Sequence, residues 1–243
     1  MQWKMNDTNG EVVAGDHGRG NRLDQLNLPT DVLIDKETDS LIICDRENRR
    51  VVRWSRRSGT TQGEMLIDNI YCQGLVMDNQ RYLYISDTTK NEVRRYQIGD
   101  RNGTIVAGGH GIGAGFNQLN GPTCVFVDQQ EAIYVSENYN NRVMKWNKGA
   151  KEGIVVAGGQ GFGDALKQLS NPRGLVVDTL GTIYVADSSN SRVVHWLQAR
   201  KPYMTVSGRN RVLEWPYALS FDRYGNLYVV DSGHHRVQRF SIS

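Results

Sequence analysis

The side chains of this chain with chemistry to offer fall into four sets: five histidines, two regular series of acids, three glycine-rich loops and a run of arginines. His17 and His110 stand at the same place in two of the loops, "AGDHGRG" and "AGGHGIG", where the third, "AGGQGFG", has Gln160. A catalytic metal needs three or four ligands with supporting partners. These loops offer two histidines and no acid beside both, so polar loop histidines are the expectation. The glycine spacing suggests a phosphate cradle, but a cradle needs a helix N-terminus behind it. Here another polar stretch and a strand follow. The acids Asp45, Asp87, Glu137, Asp187 and Asp231 recur every 42 to 50 residues, and Asp35, Asp78, Asp128, Asp178 and Asp222 precede them in step. Rings of carboxylates bind calcium, yet both series sit at strand-to-turn junctions, where Asp accepts hydrogen bonds from nearby backbone. A group present in every repeat is expected to be scaffold.

Other columns keep the same step. Arginine follows the first acid by five residues at Arg50, Arg142, Arg192 and Arg236, with Glu92 the exception. An aromatic residue follows it by nine at Trp54, Tyr96, Trp146, Trp196 and Phe240. Proline precedes the upstream acid by six at Pro29, Pro122, Pro172 and Pro216, with Cys72 in the remaining repeat. Each unit holds four short β-branched segments with Gly, Asn and Asp between them, as in "TCVFVD", "AIYVSE", "RVMKW" and "GIVVAG". These read as strands, and no helical stripe competes with them. A four-stranded unit repeated at this period predicts an all-β fold, a β-propeller. The expected arrangement is a single domain over 1–243, with repeats at about 16–67, 68–108, 109–158, 159–208 and 209–243. Strand counting gives five blades, with residues 10–15, "GEVVAG", as a closing strand for the last; an incomplete six-bladed ring is the alternative.

"LSNPRGLVVDTLGTIYVADSSNSRVVHW" resembles the NHL repeat: Pro-x-Gly and an apolar strand, Asp-x-x-Gly, then Tyr-Val-Ala-Asp-x-x-Asn-x-Arg-Val. Repeats one, three and five share fewer of these residues, and repeat two departs most, with Cys72, Lys90 and Glu92. The resemblance implies a propeller, typically six-bladed. It also implies partners such as proteins or structured RNA, often bound by the recognition end of a ubiquitin-ligase polypeptide. Related propellers include metal-using lyases and lactonases.

The net charge is +3, which permits nucleic acid without demanding it. "RENRRVVRWSRR" gathers Arg46, Arg49, Arg50, Arg53, Arg56 and Arg57 around Trp54, a composition of single-stranded nucleic-acid surfaces. Cys44, Cys72 and Cys124 share no close spacing and are expected to be packing residues. With no apolar leader or membrane-length run, the odd cysteine count favours the cytoplasm. The functional expectation is a non-enzymatic scaffold, a monomer or part of a larger polypeptide, binding a protein or RNA through loops on one face. The expected contacts are Arg46, Arg49, Arg53, Arg57, His110, Tyr139, Asn140 and His234. No catalytic residue, metal or cofactor is assigned. The alternative is a metal-dependent hydrolase or lyase using the axial channel.

Overall fold

The structure is a computed structural model describing residues 9–57, 59–196, 204–205 and 213–242. Blade one holds β1 (Pro29–Asp35), β2 (Ser40–Asp45), β3 (Arg50–Ser55) and β4 (Glu64–Ile67). Blade two holds β5 (Cys72–Met77), β6 (Tyr82–Asp87), β7 (Glu92–Gln97) and β8 (Thr104–Gly108). Blade three holds β9 (Pro122–Val127), β10 (Ile133–Glu137), β11 (Arg142–Trp146) and β12 (Ile154–Gly158). Blade four holds β13 (Pro172–Val177), β14 (Ile183–Asp187), β15 (Arg192–Trp196) and β16 (Met204–Thr205). Blade five holds β17 (Pro216–Phe221), β18 (Asn226–Asp231) and β19 (Arg236–Ser241), three strands among the described residues. Every sheet is an antiparallel meander, and the innermost strands β1, β5, β9, β13 and β17 touch in succession. The fold is a five-bladed β-propeller, as the strand count predicts, and the six-bladed alternative is not needed.

The core lies between blades. Leu175, Val185 and Trp196 of blade four pack against Tyr134, Val143 and Ala157 of blade three. The repeated aromatic is what fills these layers: Trp54, Tyr96, Trp146 and Trp196 are all buried. Burying a side chain of this size stabilises the fold by roughly 2–3 kcal/mol. A β-carbon on Gly153 would stand 2.8 Å from the Trp146 ring, so the turn can cross the indole only without a side chain.

The upstream acids build the β1–β2 type of turn. The Asp128 carboxylate accepts from the backbone N–H of Gln130 and Ala132, and Asp178 from those of Leu180 and Thr182. This is the Asx-turn chemistry expected of them.

One seam differs from the rest. Val32 and Ile34 of β1 are 55% and 54% exposed, whereas Leu75 and Leu175, in the register place of Val32, are buried. A cleft of about 810 Å3 runs beside them toward Ala218 of β17. Ala14 and Leu26 pack at its edge against Ile43, Val52 and Trp54. Gly15 meets Leu26 as Gly108 meets Leu119 and Gly158 meets Leu169. Residues 14–15 therefore lie against blade one as the ends of β8 and β12 lie against blades three and four. Among the described residues, the segment 10–15 contributes a one-residue bridge at Glu11 and no strand.

Candidate docking face and axial channel

The turns between the second and third strand of each blade, and the connections between blades, emerge at one end of the propeller. We refer to this end as the connection face. The repeated acid organises it. In blade three, the Glu137 carboxylate accepts from the Asn120 backbone N–H at 2.9 Å, from Asn140 Nδ2 at 2.7 Å, and from Arg142 Nε. The remaining guanidinium nitrogens of Arg142 donate to the carbonyls of Ala114, Gly115 and Gln118. Arg50 and Arg192 clamp the equivalent loops in blades one and four through the same pattern. Blade two shows why it lacks this arginine. Its incoming connection is short, so there is no loop to clamp, and Glu92 instead pairs with Arg94 at 2.5 Å.

The same carboxylate responds differently from blade to blade. Burial raises the Glu137 and Asp187 carboxyls above their ordinary range despite the arginine and asparagine beside each. At Asp231 burial also pushes upward, but the Glu214 N–H, Arg236, Gln238 and His234 together draw the carboxyl down to about 2.

Six of the eight sequence candidates lie on this face. Asn140 is occupied within the fold, donating to Glu137 and to the Gly113 carbonyl. His234 takes the corresponding place in blade five, with Nδ1 at 3.0 Å from Asp231 and Nε2 at 3.5 Å from Glu214. His110 is exposed, and its carbonyl accepts from Gln118. Tyr139 is 70% exposed and lies over Gly121. Arg46 stacks on Tyr71 at 4.7 Å, and Arg49 is exposed with a weak bond to Asn69. The other two do not join them. Arg53 is paired with Glu64 at 2.6 Å, and Arg57 lies past the far end of β3. Arg56 is paired with Asp39. The arginine run is thus split between two ends and largely neutralised.

The cysteine expectation needs correction. Cys44 and Cys72, on neighbouring blades with Cα atoms 5.5 Å apart, form a disulfide, and Cys124 is free. Pairing across blades is set by the fold, and their separation of 28 residues conceals it. The odd count therefore no longer argues for a reducing compartment. Burial pushes the Cys124 thiol up to about 12, which makes it unreactive.

Two sets of residues were not legible as a site. The position before the repeated proline carries Leu28, Gly121, Asn171 and Trp215, all with positive φ. Leu28 and Trp215 hold φ of 49° and 48°, and are 55% and 61% exposed. The position after the proline carries Thr30, Gln73, Thr123, Arg173 and Tyr217, which ring the mouth of the axial channel. Comparing these two columns around the proline would have exposed both sets, because they vary where their neighbours repeat. The channel below holds about 280 Å3. Asp31 faces it, accepting from the backbone N–H of Val32 and, on the next blade, of Leu75. Burial pushes its carboxyl up to about 6. Among the described residues, no three His, Cys, Asp or Glu side chains are grouped as metal ligands. No described helix is long and apolar enough to cross a membrane.

These features define a β-propeller whose repeated acid and arginine hold the connection face. Residues 169–196 match the NHL repeat family, and the chain that carries this repeat is a five-bladed β-propeller. No curated protein matches the chain in sequence. The solved gluconolactonase of Xanthomonas campestris is similar in structure, with a TM-score of 0.70, 17% identity, and coverage of 90% of this chain and 80% of that one. A Bacteroides thetaiotaomicron protein of unknown function is similar with a TM-score of 0.68 and 15% identity; 90% of this chain spans 60% of that one. A chain of the nidogen/laminin complex is similar with a TM-score of 0.63 and 20% identity, over 79% of this chain and 70% of that one. These likenesses concern the fold.

Proposed function

We propose that this propeller is a non-enzymatic scaffold that docks a protein partner on its connection face, with Leu28, Tyr139 and Trp215 as principal contacts. The observation that carries the reading is the pair Leu28 and Trp215. A left-handed backbone costs a residue other than glycine roughly 1–2 kcal/mol. Gly121 and Asn171 show what the position accepts easily. A large apolar residue placed there and left in water adds nothing to the core, and strain of this kind concentrates at binding sites. Exposed aromatic residues are also the usual anchors of protein interfaces. The neutralised arginine run favours protein over RNA. In this reading the propeller is the recognition end of a larger polypeptide, of which a ubiquitin ligase is one type. The sequence given contains no RING or B-box zinc pattern, so ligase chemistry would belong to other residues.

The test is affinity capture by the wild-type chain and by the triple variant Leu28→Gly, Tyr139→Ser, Trp215→Asn, followed by titration of any purified partner. Selective loss in a variant that unfolds no earlier than wild type is the expected result. A parallel titration with single-stranded RNA at two salt concentrations covers the other class. Tight, salt-sensitive RNA binding unaffected by the triple variant would replace the protein reading.

A further inference from the structure

We infer that the mouth of the axial channel is a binding site for a small monocarboxylate, held by Arg173. Arg173 is the one charged member of the five-residue ring that lines the mouth. Its guanidinium lies 4.7 Å over the Tyr217 ring. Tyr217 is fixed in turn, accepting a 3.0 Å hydrogen bond from Gln73 on the opposite side. Among the described residues, Arg173 makes no side-chain hydrogen bond and no ion pair. This contrasts with Arg50, Arg142 and Arg192, whose guanidinium donors are all engaged close by. A guanidinium held flat on an aromatic ring keeps its edge donors in one plane, the geometry that binds a carboxylate through two parallel bonds.

The channel behind it limits what can follow. Its volume of about 280 Å3 lies at the small end of ligand pockets and suits a small acid. Its walls are mostly apolar, from Leu75, Val125, Leu175 and Leu219. The carboxylate facing it is Asp31, which no cation among the described residues offsets. Asp31 opposes a second carboxylate and accepts a hydrogen bond from a hydroxyl or amide. The chemistry selected is one carboxylate with a neutral, donor-bearing tail. A free hydroxy acid supplies it, and so does the C-terminal residue of a peptide. This site shares no residue with the rim of Leu28, Tyr139 and Trp215, so its failure would leave the docking proposal untouched.

The experiment follows the arginine Nε–H signals of the 15N-labelled chain at constant ionic strength. The probes are lactate, the dipeptide acid N-acetyl-alanyl-glycine, its C-terminal amide, and glutarate. The expected result is a saturable shift of the Arg173 signal with lactate or the dipeptide acid, and a weaker response to the amide and to glutarate. Arg173→Gln should lose at least about tenfold in affinity, measured by calorimetry, with its unfolding midpoint kept. Arg173→Lys should retain part of it. A response to the dipeptide acid alone assigns the site to a chain end, and a response to lactate assigns it to free acids. No saturable response to either, or equal binding by Arg173→Gln, overturns the proposal.

Discussion

Gln73 reaches across the channel mouth from blade two and donates a 3.0 Å hydrogen bond to the Tyr217 hydroxyl of blade five. The two residues lie 144 positions apart and on blades that are not neighbours in the ring. Gln73 is buried and Tyr217 is half-buried, so the bond sits at the edge of the channel. It ties blade two to the last blade, which borders the seam where Val32 leaves apolar surface uncovered. A neutral bond of this kind contributes about 1 kcal/mol. A double-mutant cycle with Gln73→Ala and Tyr217→Phe should therefore give a coupling of about 0.5–1.5 kcal/mol in denaturant unfolding. Strictly additive effects would mean that the bond does not persist in solution.

The clamp of blade three and the ion pair of blade one should separate cleanly. Arg142 is buried, and removing it takes the cation from the buried Glu137 carboxylate and the guanidinium donors from three loop carbonyls. Arg142→Ala should cost about 3–5 kcal/mol, the usual penalty for orphaning one half of a buried pair. Arg53 pairs with Glu64, whose side chain is 62% exposed. Arg53→Ala should cost less than about 1 kcal/mol. Equal losses in urea unfolding would contradict the assignment of one arginine to architecture and the other to surface.

How much of this could be read from the residues depends on whether a signal repeats. The acid, arginine, proline and aromatic columns announce blade, strand and turn because the same packing problem recurs at each interface. Trp146 and Trp196 fill equivalent layers, and Glu137 and Asp187 hold equivalent loops. Single-copy features leave no such trace. The Cys44–Cys72 pair joins different columns of the repeat, so its proximity emerges only when the blades are stacked. Arg173 belongs to a column whose members, Thr30, Gln73, Thr123 and Tyr217, share position and not chemistry. The arginine run shows the converse. Its members are close in sequence, but the strand carries Arg49 and Arg57 to opposite ends of the blade.

The Cys44–Cys72 pair makes a direct prediction. Alkylation of the unreduced, denatured chain should label Cys124 alone, and reduction should release two further thiols. The replacement of both partners by alanine should lower stability by about 3–4 kcal/mol, from the loop of 28 residues that the bond closes. Chain isolated from its native setting with all three cysteines free would show that this bond does not form there and would restore the case for a reducing compartment.

Asp31 should give the fold an unusual dependence on pH. Burial raises its carboxyl from 3.8 to about 6, against the pull of the Leu75 and Val32 N–H groups. The folded chain therefore holds this proton more tightly than the unfolded chain does. Its contribution to stability is fully present below about pH 4 and is lost as the pH rises toward 6. The loss amounts to about 3 kcal/mol at most. The buried thiol of Cys124, the other titratable group that feels Asp31, stays protonated throughout this range. Carboxylates drawn downward, as at Asp231, have the opposite slope and lose their contribution as the pH falls toward 2. The comparison of wild type with Asp31→Asn cancels such terms. Urea unfolding between pH 4 and pH 7 should show wild type losing stability relative to the variant as the pH rises. Parallel curves would place the Asp31 carboxylate in water rather than in the channel wall.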